Sequence, residues 1–152
     1  METVKSILAA KGSDVYSVNA DAFVITALGI MTEHNIGAIL VTDKGGEAVG
    51  IFSERDFARK IILKGRTCEN TKVEEIMTAK IVFADPQMSI EECMNLMTTH
   101  HFRHLPVKEN GKVVGVISIG DVVKALLKHK ESIISQQAFE IGQNERLSPG
   151  AV

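Results

Sequence analysis

The chain switches repeatedly between two hydrophobic periods. Val4, Ile7 and Leu8 fall at helical spacing, and Lys11-Gly12 closes a short helix over residues 4–10. Residues 15–18 read as a brief strand, after which Val24, Ala27, Leu28 and Met31 mark a second helix. Residues 36–41 form an apolar run of strand length. Asp43-Lys44-Gly45-Gly46 is a hairpin turn signal, and residues 48–52 are the return strand. Ser53 opens a helix with Phe57, Ile61 and Ile62 as its apolar residues, ending near Lys64-Gly65.

The same order then returns. Residues 81–83 read as a strand, and Ser89 caps a helix carrying Ile90, Cys93, Met94 and Met97. Residues 105–107 and 113–117 are strands around Glu109-Asn110-Gly111, and residues 121–129 are helical. Gly50-Ile51-Phe52-Ser53-Glu54-Arg55-Asp56 reappears as Gly115-Val116-Ile117-Ser118-Ile119-Gly120-Asp121, and Met31-Thr32-x-His34 as Met97-Thr98-x-His100. A repeat at fixed period decides the fold, and two copies are too few for a solenoid. The copies are expected to bury their apolar faces against each other and to enclose two equivalent clefts. The expected division is 1–65 for the first copy with its N-terminal helix and 66–72 for a polar linker. The second copy takes 73–130, and 131–152 form a helical extension and loose tail.

Composition narrows the classes. The 152 residues are 45% hydrophobic and 24% charged, ordinary globular usage. A net charge of −2, no Trp and 5% aromatic residues argue against a nucleic-acid binder or a basic membrane surface. No apolar run approaches the roughly 18 residues of a membrane span, and Met1-Glu2-Thr3-Val4-Lys5 lacks a signal-peptide pattern. Cys68 and Cys93 form no CxxC pair, so the expected location is the reducing cytoplasm.

The repeated Ser-x-x-Asp has two readings. It is a capping box, with Ser accepting from the third amide of the helix and Asp answering back. The same geometry offers a hydroxyl and free amides to a phosphate, and a carboxylate to the hydroxyls of a ribose. Two copies, each directly after a Gly-led strand, favour the second reading, since a cap requires no preceding strand.

These residues resemble the cystathionine-β-synthase (CBS) domain family, whose signature is a Gly-led last strand followed by Ser or Thr, two variable residues and Asp. His104-Leu105-Pro106-Val107 is similar to a further family hallmark, from which Ala38-Ile39-Leu40-Val41 in the first copy departs. Ser53-Glu54-Arg55-Asp56-Phe57-Ala58-Arg59-Lys60 resembles stand-alone bacterial tandem-CBS proteins. The resemblance spans about residues 4–130. It implies an α/β (α+β) fold of two β-α-β-β-α repeats, packed sheet to sheet with pseudo-twofold symmetry as a Bateman module. It also implies clefts for AMP, ADP, ATP, S-adenosylmethionine or NAD(H), each completed by the opposite copy. The first cleft would take Ser53, Arg55 and Asp56 with Lys80, Val82, Phe102 and His104. The second would take Ser118, Gly120 and Asp121 with Tyr16, Ile36 and Ala38. Asp56 and Asp121 would hold ribose hydroxyls, and Ser53 and Ser118 would sit near the α-phosphate or ribose. Val82 and Phe102, or Tyr16 and Ile36, would sandwich adenine.

The copies differ where Arg55 faces Gly120. An Arg fork suits phosphate, and Arg59 and Lys60 add charge one turn on. The first cleft is therefore expected to prefer a longer or more charged ligand, and the second a monophosphate. Against this, Arg55 could simply pair with Glu54 or another exposed acid. His100, His101 and His104 lack an acidic or Cys partner at ligand spacing, and no metal is expected. No nucleophile elbow, HExxH or P-loop is present, so the expected role is a non-catalytic sensor of energy or redox state. The implied partners are a second copy in a homodimer and an unidentified protein regulated in trans. The faces Phe57/Ile61 and Val122/Leu126 are candidate dimer surfaces, and the extension over residues 132–141 could brace the dimer. The alternative is an interaction protein with empty clefts, or a thiol-redox regulator using an exposed Cys68.

Overall fold

The computed structural model describes residues 2–147, and within them each copy builds its own small sheet. In the first copy, β1 (Ser17–Asn19) lies parallel to β2 (Ala38–Thr42), which pairs antiparallel with β3 (Ala48–Ser53). In the second, β4 (His104–Glu109) and β5 (Lys112–Ser118) form an antiparallel pair. The helices are α1 (Val4–Lys11), α2 (Val24–His34), α3 (Glu54–Asp56), α4 (Val73–Ile76), α5 (Ile90–His100) and α6 (Ile119–Leu147). The mixed α/β architecture of two repeats is the one expected, with the opening strand of the second repeat reduced to a single bridge.

Local chemistry explains the hairpins. Asp43 Oδ1 accepts from the amides of Gly45 and Glu47, and Asn110 and Gly111 take the positive φ values, 51° and 79°, that a tight primed turn needs. Each hairpin then carries a register shift at the same place, between Val41 and Thr42 and between Val107 and Lys108.

Three expectations are corrected. Residues 81–83 form no strand. Only Ala84 touches β4, donating to the Pro106 carbonyl (2.8 Å) and accepting from the Lys108 amide (2.9 Å). Its bridge to Val107 repeats the pairing of Val18 with Val41, and Pro86, with no amide hydrogen, follows at once. The helix opened by Ser53 is α-helical only to Asp56 and then runs as a π-helix over Phe57–Ile62, with the Leu63 amide bonded to the Ala58 carbonyl. The helix over 121–129 and the extension are one element, α6, because nothing between them breaks the backbone ladder. The expected loose tail after Leu147 lies outside the described residues.

The two cores exchange segments. Val4, Ile7 and Leu8 of α1 are buried with Cys93, Met97, Leu105, Ile117 and Val122 of the second copy. Val73 and Ile76 of α4 are buried with Val24, Met31, Val41, Phe52 and Ile61 of the first. Each copy thus seals its apolar face with the segment that precedes the other, and burial of such side chains supplies the main driving force. The polar stretch between the copies is also structural: Thr71 is buried, and the carbonyls of Thr71 and Cys68 accept from the first amides of α2. Ile61 and Val122 belong to these cores, so the exposed apolar side chains nearby are instead Ile62 and Leu63, and Val123 and Leu127.

Candidate ligand-binding clefts

Chain crossing leaves two clefts between the copies, of about 430 and 420 Å³. Both fall within the size of small-molecule sites, roughly 300–1,000 Å³. The first brings together Ser53, Arg55 and Asp56 with Lys80, Val82, Phe102 and His104. The second brings together Ser118 and Asp121 with Tyr16, Ile36 and Ala38. Gly120, on the first turn of α6, is not among the lining residues. A side chain there would meet only the Ser118 hydroxyl, 3.5 Å away, and it forms no wall. Gly37 and His104 line both clefts, and a Cβ on Gly37 would stand 3.5 Å from His104 Nε2. The two spaces therefore share a wall one side chain thick.

Both Ser-x-x-Asp corners form capping boxes. The Asp56 amide donates to Ser53 Oγ (3.2 Å) while Asp56 Oδ2 accepts from the Ser53 amide (3.0 Å). The Asp121 amide donates to Ser118 Oγ (3.1 Å), and Asp121 Oδ2 accepts from the Ser118 amide (2.8 Å). The remaining oxygens differ. Asp56 is buried, and its Oδ1 accepts from Thr78 Oγ1 (3.2 Å) and Lys60 Nζ (2.9 Å). Asp121 is half-buried; its Oδ2 also accepts from Lys11 Nζ (2.6 Å), and no group among the described residues donates to its Oδ1. Lys11, Gly12, Asp14 and Thr78 all line the clefts without having been singled out from sequence. Each joins its cleft through a crossing between distant segments.

Charge separates the clefts. Arg55, Arg59, Lys60, Lys80 and Arg103 line the first, against Glu54 and Asp56. Lys11 lines the second, against Asp14 and Asp121. Among the described residues Arg55 pairs with no acid; its Nη1 donates to the His101 carbonyl at 2.7 Å, tying the first copy's corner to the loop after α5. Aromatic rings back both clefts. Tyr16 stacks on His34 (centroids 3.8 Å, 16° between planes), and Phe102 lies beside His100 (5.8 Å, 14°).

Burial first and the Lys11 charge second push the His104 imidazole below its usual range; Asp121 pulls the other way, and Arg103 adds the least. Burial also opposes ionisation of Asp121. The hydrogen bonds from Lys11 and the Ser118 amide outweigh it, and the carboxyl lies below its usual range. Among the described residues no cluster of His, Cys, Asp or Glu is arranged to hold a metal ion, and no helix is long and apolar enough to cross a membrane.

Comparison with known proteins places this geometry. The "CBS domain" family model matches residues 4–63 and again 73–128. A relative from Arabidopsis thaliana, "CBS domain-containing protein CBSX3, mitochondrial", is 36% identical, with 90% of this chain and 71% of the relative covered. A solved putative signal-transduction protein with CBS domains from Burkholderia ambifaria is 48% identical, with a TM-score of 0.80, covering 84% of this chain and 95% of that one. The CBS domain pair of MJ0100, solved in complex with 5′-methylthioadenosine and S-adenosyl-L-methionine, shares the fold at 23% identity. Its TM-score is 0.72, covering 82% of this chain and 99% of that one. Two matched repeats over most of the chain, and a fold shared with solved CBS pairs, establish that this chain belongs to the CBS-domain family.

Proposed function

We propose that the chain is a non-catalytic regulatory module that binds adenosine nucleotides, AMP, ATP or NAD(H), in its two clefts and reports energy or redox state. One observation carries this reading. Each cleft combines a hydroxyl–carboxylate corner on one copy with apolar and aromatic walls from the other. A nucleotide needs both, and its binding couples the two copies. The adenosine ligands of MJ0100 support the ligand class. The first cleft, with five cationic side chains against two acids, takes the polyphosphate or dinucleotide. The second, with one cation against two acids, takes the monophosphate.

Regulation acts in trans or through a homodimer. The exposed apolar side chains of α6, among them Leu127, Ile134 and Phe139, offer surface for it. The two free cysteines fit a reducing cytoplasm.

Thermal-shift and calorimetric titration with AMP, ATP, NAD(H) and S-adenosylmethionine tests the reading, with each ligand analysed afterwards by chromatography. Saturable stabilisation by a ligand recovered intact is expected. Turnover of the ligand, or no stabilisation by any of them, overturns it. Arg55→Ala should weaken ATP more than AMP.

A further inference from the structure

In the second cleft one ammonium replaces three groups of the first. In the first cleft the Ile51 carbonyl accepts from the Thr78 amide (2.8 Å), and Asp56 accepts from the Thr78 hydroxyl and from Lys60. The equivalent of Ile51 is Val116, and its carbonyl accepts from Lys11 Nζ (2.9 Å). The same Nζ holds Asp121 at 2.6 Å. The position matching Lys60 is Ala125, so Lys11 is the one cation paired with Asp121 among the described residues.

The two arrangements differ in how firmly they hold. Thr78 is fixed by a two-way backbone bridge to Ile51, and Lys60 is pinned a second time by the Ile76 carbonyl (3.0 Å). Lys11 reaches across from the last residue of α1 and is likewise held a second time, by the Val116 carbonyl. The two lysines are about equally exposed, 37% and 40%, so the difference lies at Thr78, which has no counterpart on Asp121 among the described residues. Asp121 keeps a free Oδ1 beside it.

We propose that Lys11 is a displaceable latch that selects for phosphate in the second cleft. This rests on the reading of that cleft as an adenosine site. A ribose diol takes the free Oδ1 of Asp121 and competes for Oδ2. The ammonium it releases turns to the phosphate of the same ligand. A nucleoside displaces the ammonium and offers no anion in exchange. Lys11 thereby favours phosphorylated ligands over the bare nucleoside at this cleft, while the fixed Asp56 corner makes no such exchange.

The test is an NMR titration of the full chain with 5′-AMP and with adenosine. The Ser118 amide reports the second cleft and the Ser53 amide the first. Wild type, Lys11→Met and Lys11→Arg are compared, and a wild-type amide spectrum certifies the fold of each. At Ser118, wild type should bind AMP about tenfold or more tightly than adenosine, the worth of one charge-assisted contact. Lys11→Met should erase that preference by weakening AMP while leaving adenosine equal or tighter, and Lys11→Arg should retain it. Responses at Ser53 should not change between variants. The latch is overturned if Lys11→Met keeps the preference, or weakens both ligands alike as a merely structural lysine would. Binding in wild type with an unaltered preference in Lys11→Met removes the latch alone. Silence of both amides in wild type removes the adenosine reading and the latch with it.

Discussion

Leu8 of α1 is seated on Gly115 of β5. A Cβ on Gly115 would stand 2.6 Å from Leu8 Cδ2 and 3.3 Å from Cγ. Met77 does the same to Gly50, where a Cβ would stand 2.5 Å from its Sδ and 3.0 Å from the Thr78 carbonyl. The glycine that leads each repeated motif is thus explained by the crossing of the segment that precedes the other copy. It makes room for the exchange that joins the two cores.

Gly115→Ala should therefore lower unfolding stability by about 1–3 kcal/mol, the usual range for overpacking. In a Leu8→Ala background the same substitution should cost far less, because the added methyl enters the space Leu8 leaves. A double-mutant cycle by urea denaturation checks this, and additive costs would refute the contact.

Asp56 and Asp121 occupy equivalent positions and should respond differently to removal. Asp56→Ala strands the half-buried Thr78 hydroxyl and Ser53 amide and should destabilise the fold by roughly 1–3 kcal/mol. Asp121→Ala likewise leaves the Ser118 amide without its carboxylate and frees a partly exposed Lys11, but it strands no counterpart of Thr78 and should cost less than Asp56→Ala. Chemical denaturation of both variants without ligand makes the comparison.

Acid should weaken the fold at His104. Its folded-state pKa is below the usual 6.5, so the unfolded chain takes up the proton more readily. Stability is full above 6.5 and is lost as pH falls below it. Asp121, depressed below 3.8, adds stability present above that value and lost as pH falls through its folded-state pKa. His104→Gln should flatten the fall of the melting temperature as pH drops below about 6.5. Lys11→Met should move the His104 titration upward, since the Lys11 charge helps to depress it. Melting curves and histidine NMR read the two effects.

The thiols should be poor nucleophiles. Cys68 is half-buried against the first core rather than exposed, and burial followed by the charge of Glu69 raises its pKa. Cys93 is buried, with burial first and Glu92 second pushing it to about 11. Labelling by a thiol reagent at neutral pH should be slower than for a free cysteine peptide. Cys68→Ser should leave nucleotide binding unchanged; a large loss would restore the thiol-redox reading.

Most strands, helices and hairpins were legible because their signals are local. Asp43 and Asn110-Gly111 shape their own turns, and Ser53, Ser89 and Ser118 cap the helices they open. The π-helix over Phe57–Ile62 was not legible, since no Gly or Pro marks it. The stretch at 81–83 has strand-like residues but makes no ladder, which depends on a partner strand and not on propensity.

The sequence alone determined the duplication, the order of elements within each copy and the two Ser-x-x-Asp corners, because repeated residues and periodicity are properties of neighbours in the chain. Tertiary structure decided which segment seals which core, that Thr78 immobilises Asp56, and that Lys11 reaches Asp121 from 110 residues away. These are meetings of distant segments. Nothing beside Lys11 in the chain announces them, because burial of α1 against the second copy brings that ammonium to its carboxylate.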